Sequence, residues 1–194
     1  MPDTGAPHFI PFLDGTELVR AYPDFSEDLA DAVADGLSAA GNAGIGSNVV
    51  QAVKTDTFAA GGGTFQTVTG LSVSITPTSA TSKLLVIADV KFSNTAARGV
   101  HMRLVRNGSP IYVGDASGSR IRASAESHGG DKEFSSDSTV SVFLDLPNTT
   151  SSVTYAVQTR TPAGDAVVNR SRNDGNLGDR GRTASSITVI EVSA

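Results

Sequence analysis

Arg170, Arg172, Arg180 and Arg182 fall in one run, NRSRNDGNLGDRGR, from Asn169 to Arg182, interleaved with Asn173, Asp174, Asn176 and Asp179. Guanidinium forks grip carboxylates and phosphates with two parallel hydrogen bonds. Amides and carboxylates beside them suit sugar hydroxyls. An anionic host-surface polysaccharide or a neighbouring protein would both fit such a loop. A solvated loop whose charges pair among themselves explains the same residues, each pair then contributing little. A second polar candidate is GDASGSRIR, Gly114 to Arg122.

Spacing for catalysis or metal binding is weaker. His8, His101 and His128 do not pair at ligand spacing. His128, Asp131 and Glu133 sit together in SHGGDKE, a set that could hold a metal or move a proton but that also reads as a polar glycine turn. No Gly-x-Ser-x-Gly elbow is present. Gly61–Gly63 lacks the Lys-Ser/Thr of a phosphate loop. The run from Asn173 to Asp179 lacks the sixth-place glycine and closing Glu of a calcium loop. The reading is therefore a non-enzyme with no cofactor and no metal.

The chain has 194 residues, no Cys and no Trp. Disulfides and thiolate sites are excluded. Residues 1–42 hold eight acids against Arg20 alone, a net of −7, whereas the rest holds twelve acids and fourteen bases, a net of +2. Segments of different charge usually meet different partners. Neither is a strong basic field, so no nucleic-acid partner is expected. No apolar run approaches the roughly 18 residues of a membrane span, so no membrane insertion is expected. The start, MPDTGAPHFIPFLDG, lacks the basic and apolar regions of an export signal. Synthesis in a cytoplasm is the expectation.

The elements that would position these residues fall into two parts, residues 1–47 and 48–194. In the first, Pro2, Pro7, Pro11 and Pro23 impose an extended, irregular path. Phe9, Ile10, Phe12, Leu13, Leu18, Val19 and Tyr22 are too many large apolar groups for a free tail. They either wrap on their own domain or order on docking into another protein. Asp24 with Glu27 makes an N-terminal cap for a helix over about 25–40. Phe25, Leu29, Val33 and Leu37 form one apolar stripe on it. So short a helix is marginal alone, and its stripe packs on its own chain or against sister copies at a three-helix junction.

From Val49 the period changes to two, which signals antiparallel strands. Expected strands are 49–58, 64–68, 71–76, 83–93, 100–106, 109–113, 121–127, 139–146, 153–161, 166–170 and 183–192. Asn107-Gly108 suits a two-residue type I′ hairpin turn. Leu84, Val86, Ala88, Val90 and Phe92 alternate on one face, and Val140, Val142, Leu144 and Leu146 do likewise. The fold class is mainly β: an antiparallel β-sandwich of jelly-roll or barrel type, preceded by an extended arm and one short amphipathic helix. A thin core poor in aromatics gains from burial between copies.

The segments TFQTVTGLSVSITPTSATSKLLVIADVKFSN, MRLVRNGSPIY, STVSVFLDLPNTTSSVTYAVQTRT and SSITVIEV resemble a β-rich domain of bacteriophage tail-fibre and minor tail proteins. Their order is similar to the jelly-roll heads of trimeric C1q- and TNF-like modules. The run from Pro7 to Gly41 resembles the virion-attachment segment that precedes such heads. The resemblance covers most of the chain and rests on strand texture and order, without an invariant chemical motif. It implies a homotrimer on a virion, fixed to other virion proteins by its N-terminal segment, with the head outward. A head fibre or capsid decoration trimer, and a free carbohydrate-binding module, are the alternatives.

Overall fold

The structure is a computed structural model that describes residues 31–34, 45–127 and 133–192. The chain divides into two compact units, 1–43 and 44–194. In the first, residues 31–34 are helical and Val33 is exposed. The docking set Phe9, Ile10, Phe12, Leu13, Leu18, Val19 and Tyr22, and the stripe residues Phe25, Leu29 and Leu37, lie outside the described residues.

The second unit is two antiparallel sheets packed face to face, as the two-residue period requires. Its strands are β1 (Ile45–Lys54), β2 (Phe58–Gly61), β3 (Gln66–Ile75), β4 (Lys83–Asn94), β5 (Val100–Arg106), β6 (Ser109–Ile111), β7 (Ala125–Ser127), β8 (Asp137–Asp145), β9 (Val153–Arg160), β10 (Asp165–Val168) and β11 (Ser185–Val192). The first sheet is organised by the long β4. One edge of β4 pairs with β8; the other pairs with β11 and then β10, which lead on to β1 and β2. The second sheet runs β3-β9-β5, with β6 and β7 sharing the far edge of β5. The Asn107-Gly108 turn joins β5 to β6 with φ of 48° and 81°, the left-handed pair that a type I′ turn demands.

The core lies between the sheets. Leu84, Val86, Ala88, Val90 and Phe92 of β4 are fully buried, as their alternation predicts, against Val68, Leu71, Met102, Leu104, Tyr155 and Val157. Two expected strands, 64–68 and 71–76, are one strand, β3, whose register slips around Gly70 at φ 87°. The glycine lets the strand bulge without ending. The expected 49–58 divides instead into β1 and β2.

The second alternating set also shares one face, the outer one. Val140, Val142, Leu144 and Leu146 point outward and are about half exposed, from 43% to 58%. The β4–β8 register sets Ser141, Phe143 and Asp145 opposite the buried Ala88, Val86 and Leu84. The inward side of β8 is therefore the partly polar one. Its carboxylate, Asp145, accepts 2.9 Å bonds from Arg106 Nη1 and a 2.6 Å bond from the Tyr155 hydroxyl. Burial and that carboxylate push the Tyr155 hydroxyl pKa well above the usual phenol range.

Candidate functional site

The Asn169–Arg182 loop is an excursion from one strand line. β10 pairs Val168 with Phe92, and the same register continued would set residue 171 against Asp89; Ser186 of β11 takes that place instead. The chain between them leaves the edge of β4 and returns to it. Its mouth is closed by a bridge between Arg170 and Arg182.

Asn169 secures this mouth. It is fully buried at φ 63°, a left-handed conformation that Asn tolerates better than most residues. Its Nδ2 donates to the carbonyls of Lys54 (2.8 Å) and Asp56 (3.0 Å), and its Oδ1 accepts from the Ser185 hydroxyl at 2.6 Å. Its backbone N–H donates to Lys91 and its carbonyl accepts from Thr183. Ser93 Oγ donates to the Arg170 carbonyl at 3.0 Å. Sequence reading had no signal for this role: Asn169 is one more polar residue at the edge of a polar run, and its partners are far away in the chain.

Beyond the mouth, the loop charges fold onto one another. Arg182 Nη2 lies 2.6 Å from Asp174 Oδ1, and Arg170 Nε lies 3.8 Å from Asp174 Oδ2. Arg170 also donates to the carbonyls of Ser171 and Arg172. Arg172 Nη2 lies 3.7 Å from Glu133 Oε2, and Asn173 donates to the same carboxylate at 3.4 Å. Arg180 lies beside Asp179 at 3.6 Å, with its guanidinium 5.2 Å from the centre of the Phe134 ring, a cation–π approach. Glu133 and Phe134, remote in sequence, thus belong to this site. Glu133 serves here as an arginine partner, while His128 and Asp131 lie outside the described residues.

The result is a shallow, polar cleft of about 210 Å³ lined by Asp174, Asn176, Leu177, Arg180 and Arg182 among others. The arginine side chains differ sharply in access: Arg180 is 11% exposed, Arg170 15%, Arg172 26% and Arg182 56%. Only the last presents most of its fork outward. With exposed Asn176 and Asp174, it makes a surface able to bind hydroxyl and carboxylate groups by hydrogen bonds.

The second polar segment, Gly114–Arg122, connects β6 to β7 and forms another open cleft, about 240 Å³. Arg122 Nε donates to the Gly114 carbonyl at 2.7 Å and Arg120 to the Ser117 hydroxyl at 2.9 Å, so these guanidiniums brace their own turn. His101 lies 3.5 Å from Glu126 on the adjacent strand pair. Among the described residues, no group of three His, Cys, Asp or Glu is placed to share a metal ion. Among them, no helix is long and apolar enough to cross a membrane.

No protein-family model matches the chain, and no curated protein matches it. Among solved structures it is similar to the infectious bursal disease virus VP2 subviral particle, at 15% identity and a TM-score of 0.36. The match covers 74% of this chain and 32% of that one, so the chain spans about a third of that protein's length.

Proposed function

We propose that this chain is a structural protein of a bacteriophage particle: a homotrimeric tail-fibre or minor tail component, held by residues 1–47 and displaying the sandwich outward. One observation carries the reading. The four segments that bear the resemblance fold as β3–β4, β5–β6, β8–β9 and β11, strands from both sheets of one sandwich. They are therefore parts of a single sandwich, which supports reading them as one head. The paired, shallow polar loops support presentation over bond-making chemistry.

Deleting residues 1–42 tests it. The truncated chain is expected to stay folded and soluble and to disappear from purified particles that incorporate the full chain. Truncated protein that still joins particles overturns the reading. Antibody labelling of particles distinguishes a tail position from a head fibre or capsid decoration.

Host-surface polysaccharide is the ligand class that suits the loop. On a glycan array, alanine at Arg170, Arg172, Arg180 and Arg182 together is expected to abolish binding of anionic glycans. Because Arg182 is the most accessible of the four, Arg182→Ala alone should reproduce about tenfold of the loss, the scale of one charge-assisted contact. Unchanged binding by the quadruple variant removes the loop from host recognition.

A further inference from the structure

In antiparallel sandwiches the outward side chains ordinarily meet water and are polar. The second sheet follows that rule apart from the covered pair Val105 and Ala156. Its outer surface carries Ser74 bonded to Thr154, Gln158 bonded to Thr67, and Arg103 bonded to Gln158. The first sheet breaks it. Its registers set Leu144, Leu85, Ile190 and Val49 side by side across β8, β4, β11 and β1. The next row begins with Val142 beside Ile87, and the third with Val140 beside Asp89. None of the apolar members is buried, and Val49, Val140, Val142 and Leu144 are 43–58% exposed.

We propose that this outer face of the first sheet, centred on Val142 and Leu144, is where copies of this chain bind one another. The inference rests on the homotrimer reading and assigns the face through which it would form. Three observations favour a second copy as the occupant. The first is charge. Asp89 and Lys91 pair with each other at one margin and exposed Lys83 stands at the opposite end of β4, so the apolar centre itself holds no charged side chain to repel its own copy.

The second is area. Seven apolar positions, on strands about 4.8 Å apart with side-chain rows about 6.7 Å apart, give an apolar footprint of about 220 Å². That is over a quarter of the roughly 800 Å² each partner buries in a stable complex, the apolar centre of a patch whose remainder is polar. The flanking Gln51–Thr188 pair, bonded at 2.8 Å on the same surface, supplies the start of the polar rim that such interfaces have.

The third is the edge. β8 pairs with β4 on one side and has no ladder partner on the other among the described residues, β7 touching only its start, where Ser127 donates to Asp137. Its sequence VSVFLDL, rich in β-forming apolar residues, would template open-ended association if left uncovered. A closed ring of copies seated on the adjoining face would hinder approach to this edge without open growth.

The test uses the full chain. Sedimentation at tens of micromolar is expected to show an oligomer for the natural sequence and a monomer for the V142K/L144K double variant, with unchanged far-ultraviolet circular dichroism. The chain has no cysteine, so Val142→Cys supplies a sole thiol and requires no loss of folding. Its maleimide labelling is expected to slow about tenfold as concentration rises through the assembly range, since only the dissociated form reacts. A Ser74→Cys thiol on the opposite sheet is expected to label at one rate throughout. A natural chain that stays monomeric overturns the proposal, whether the face then lies open or is covered by residues 1–44. An oligomer that survives V142K/L144K, with Val142→Cys labelling independent of concentration, overturns this face and leaves the homotrimer reading standing.

Discussion

Asn169→Ala is expected to destabilise the sandwich by about 3–4 kcal/mol, as two buried hydrogen bonds and one part-buried one, worth about 1 kcal/mol each, are lost and a left-handed backbone costs alanine about 1 kcal/mol. The lost bonds are those to Lys54, Asp56 and Ser185. Of the two carbonyls left behind, that of Lys54 is enclosed, so water does not readily replace its donor, whereas that of Asp56 is only part-buried. Asn169→Gly separates the two contributions: it forfeits the same bonds but adopts φ 63° freely, so it should cost about 1 kcal/mol less than alanine. Urea unfolding followed by circular dichroism gives both values. The loop should also loosen, and trypsin should cut after Arg180 or Arg182 faster in the variant than in the natural chain. A shift below about 1 kcal/mol would mean that the loop mouth is held by the β4 edge alone.

Lowering the pH is expected to remove about 3 kcal/mol of stability through one carboxylate, Glu191. This side chain, in the closing strand, is fully buried. Burial by itself would raise its pKa, but donors outweigh it. Thr78 contributes its backbone N–H at 2.7 Å and its hydroxyl at 2.6 Å, and Asn48 Nδ2 donates at 3.0 Å. The Ser82 hydroxyl also favours the charged form, though it lies outside good hydrogen-bond geometry. Together they hold the pKa at about 2, below the ordinary 4.5. A depressed folded-state pKa stabilises above the unfolded value. The contribution is therefore complete above about pH 4.5 and declines as the pH falls toward 2. Glu191→Gln should flatten that part of the profile and cost about 2 kcal/mol at neutral pH, because one amide cannot accept from all its former donors. An acid-unfolding curve of the same shape in both proteins would show that other carboxylates govern it.

Both residues show where reading the chain stops. Strand positions were legible because burial on one face imprints a period of two on local sequence. β5 begins and ends where the alternation from Val100 to Arg106 does, and the Asn107-Gly108 turn carries its own conformational signature. Glu191 and Asn169 carry no such imprint. A carboxylate in an apolar strand looks like an error until Thr78 and Asn48 arrive from other turns of the chain.

The loop divides in the same way. Its composition marked it as a contact candidate, and the internally paired alternative describes what its arginines do. Their partner Glu133 belonged in the sequence reading to a different, metal-like cluster. Which guanidinium stays accessible depends on distances between segments that spacing along the chain does not encode.

The alternating pattern by itself determined that this is an antiparallel sandwich, because side chains of a strand must point to two sides by turns. It could not determine which side of β8 faces inward. Alternation is symmetric: Val140, Val142, Leu144 and Leu146 satisfy it pointing either way, and a shift of one residue exchanges the faces. The pairing of Ser141 with Ala88 and Phe143 with Val86 made that choice. It placed Asp145 within reach of Tyr155 and Arg106 and left an apolar row outside. Register is a property of two strands at once, so only the tertiary structure decides it.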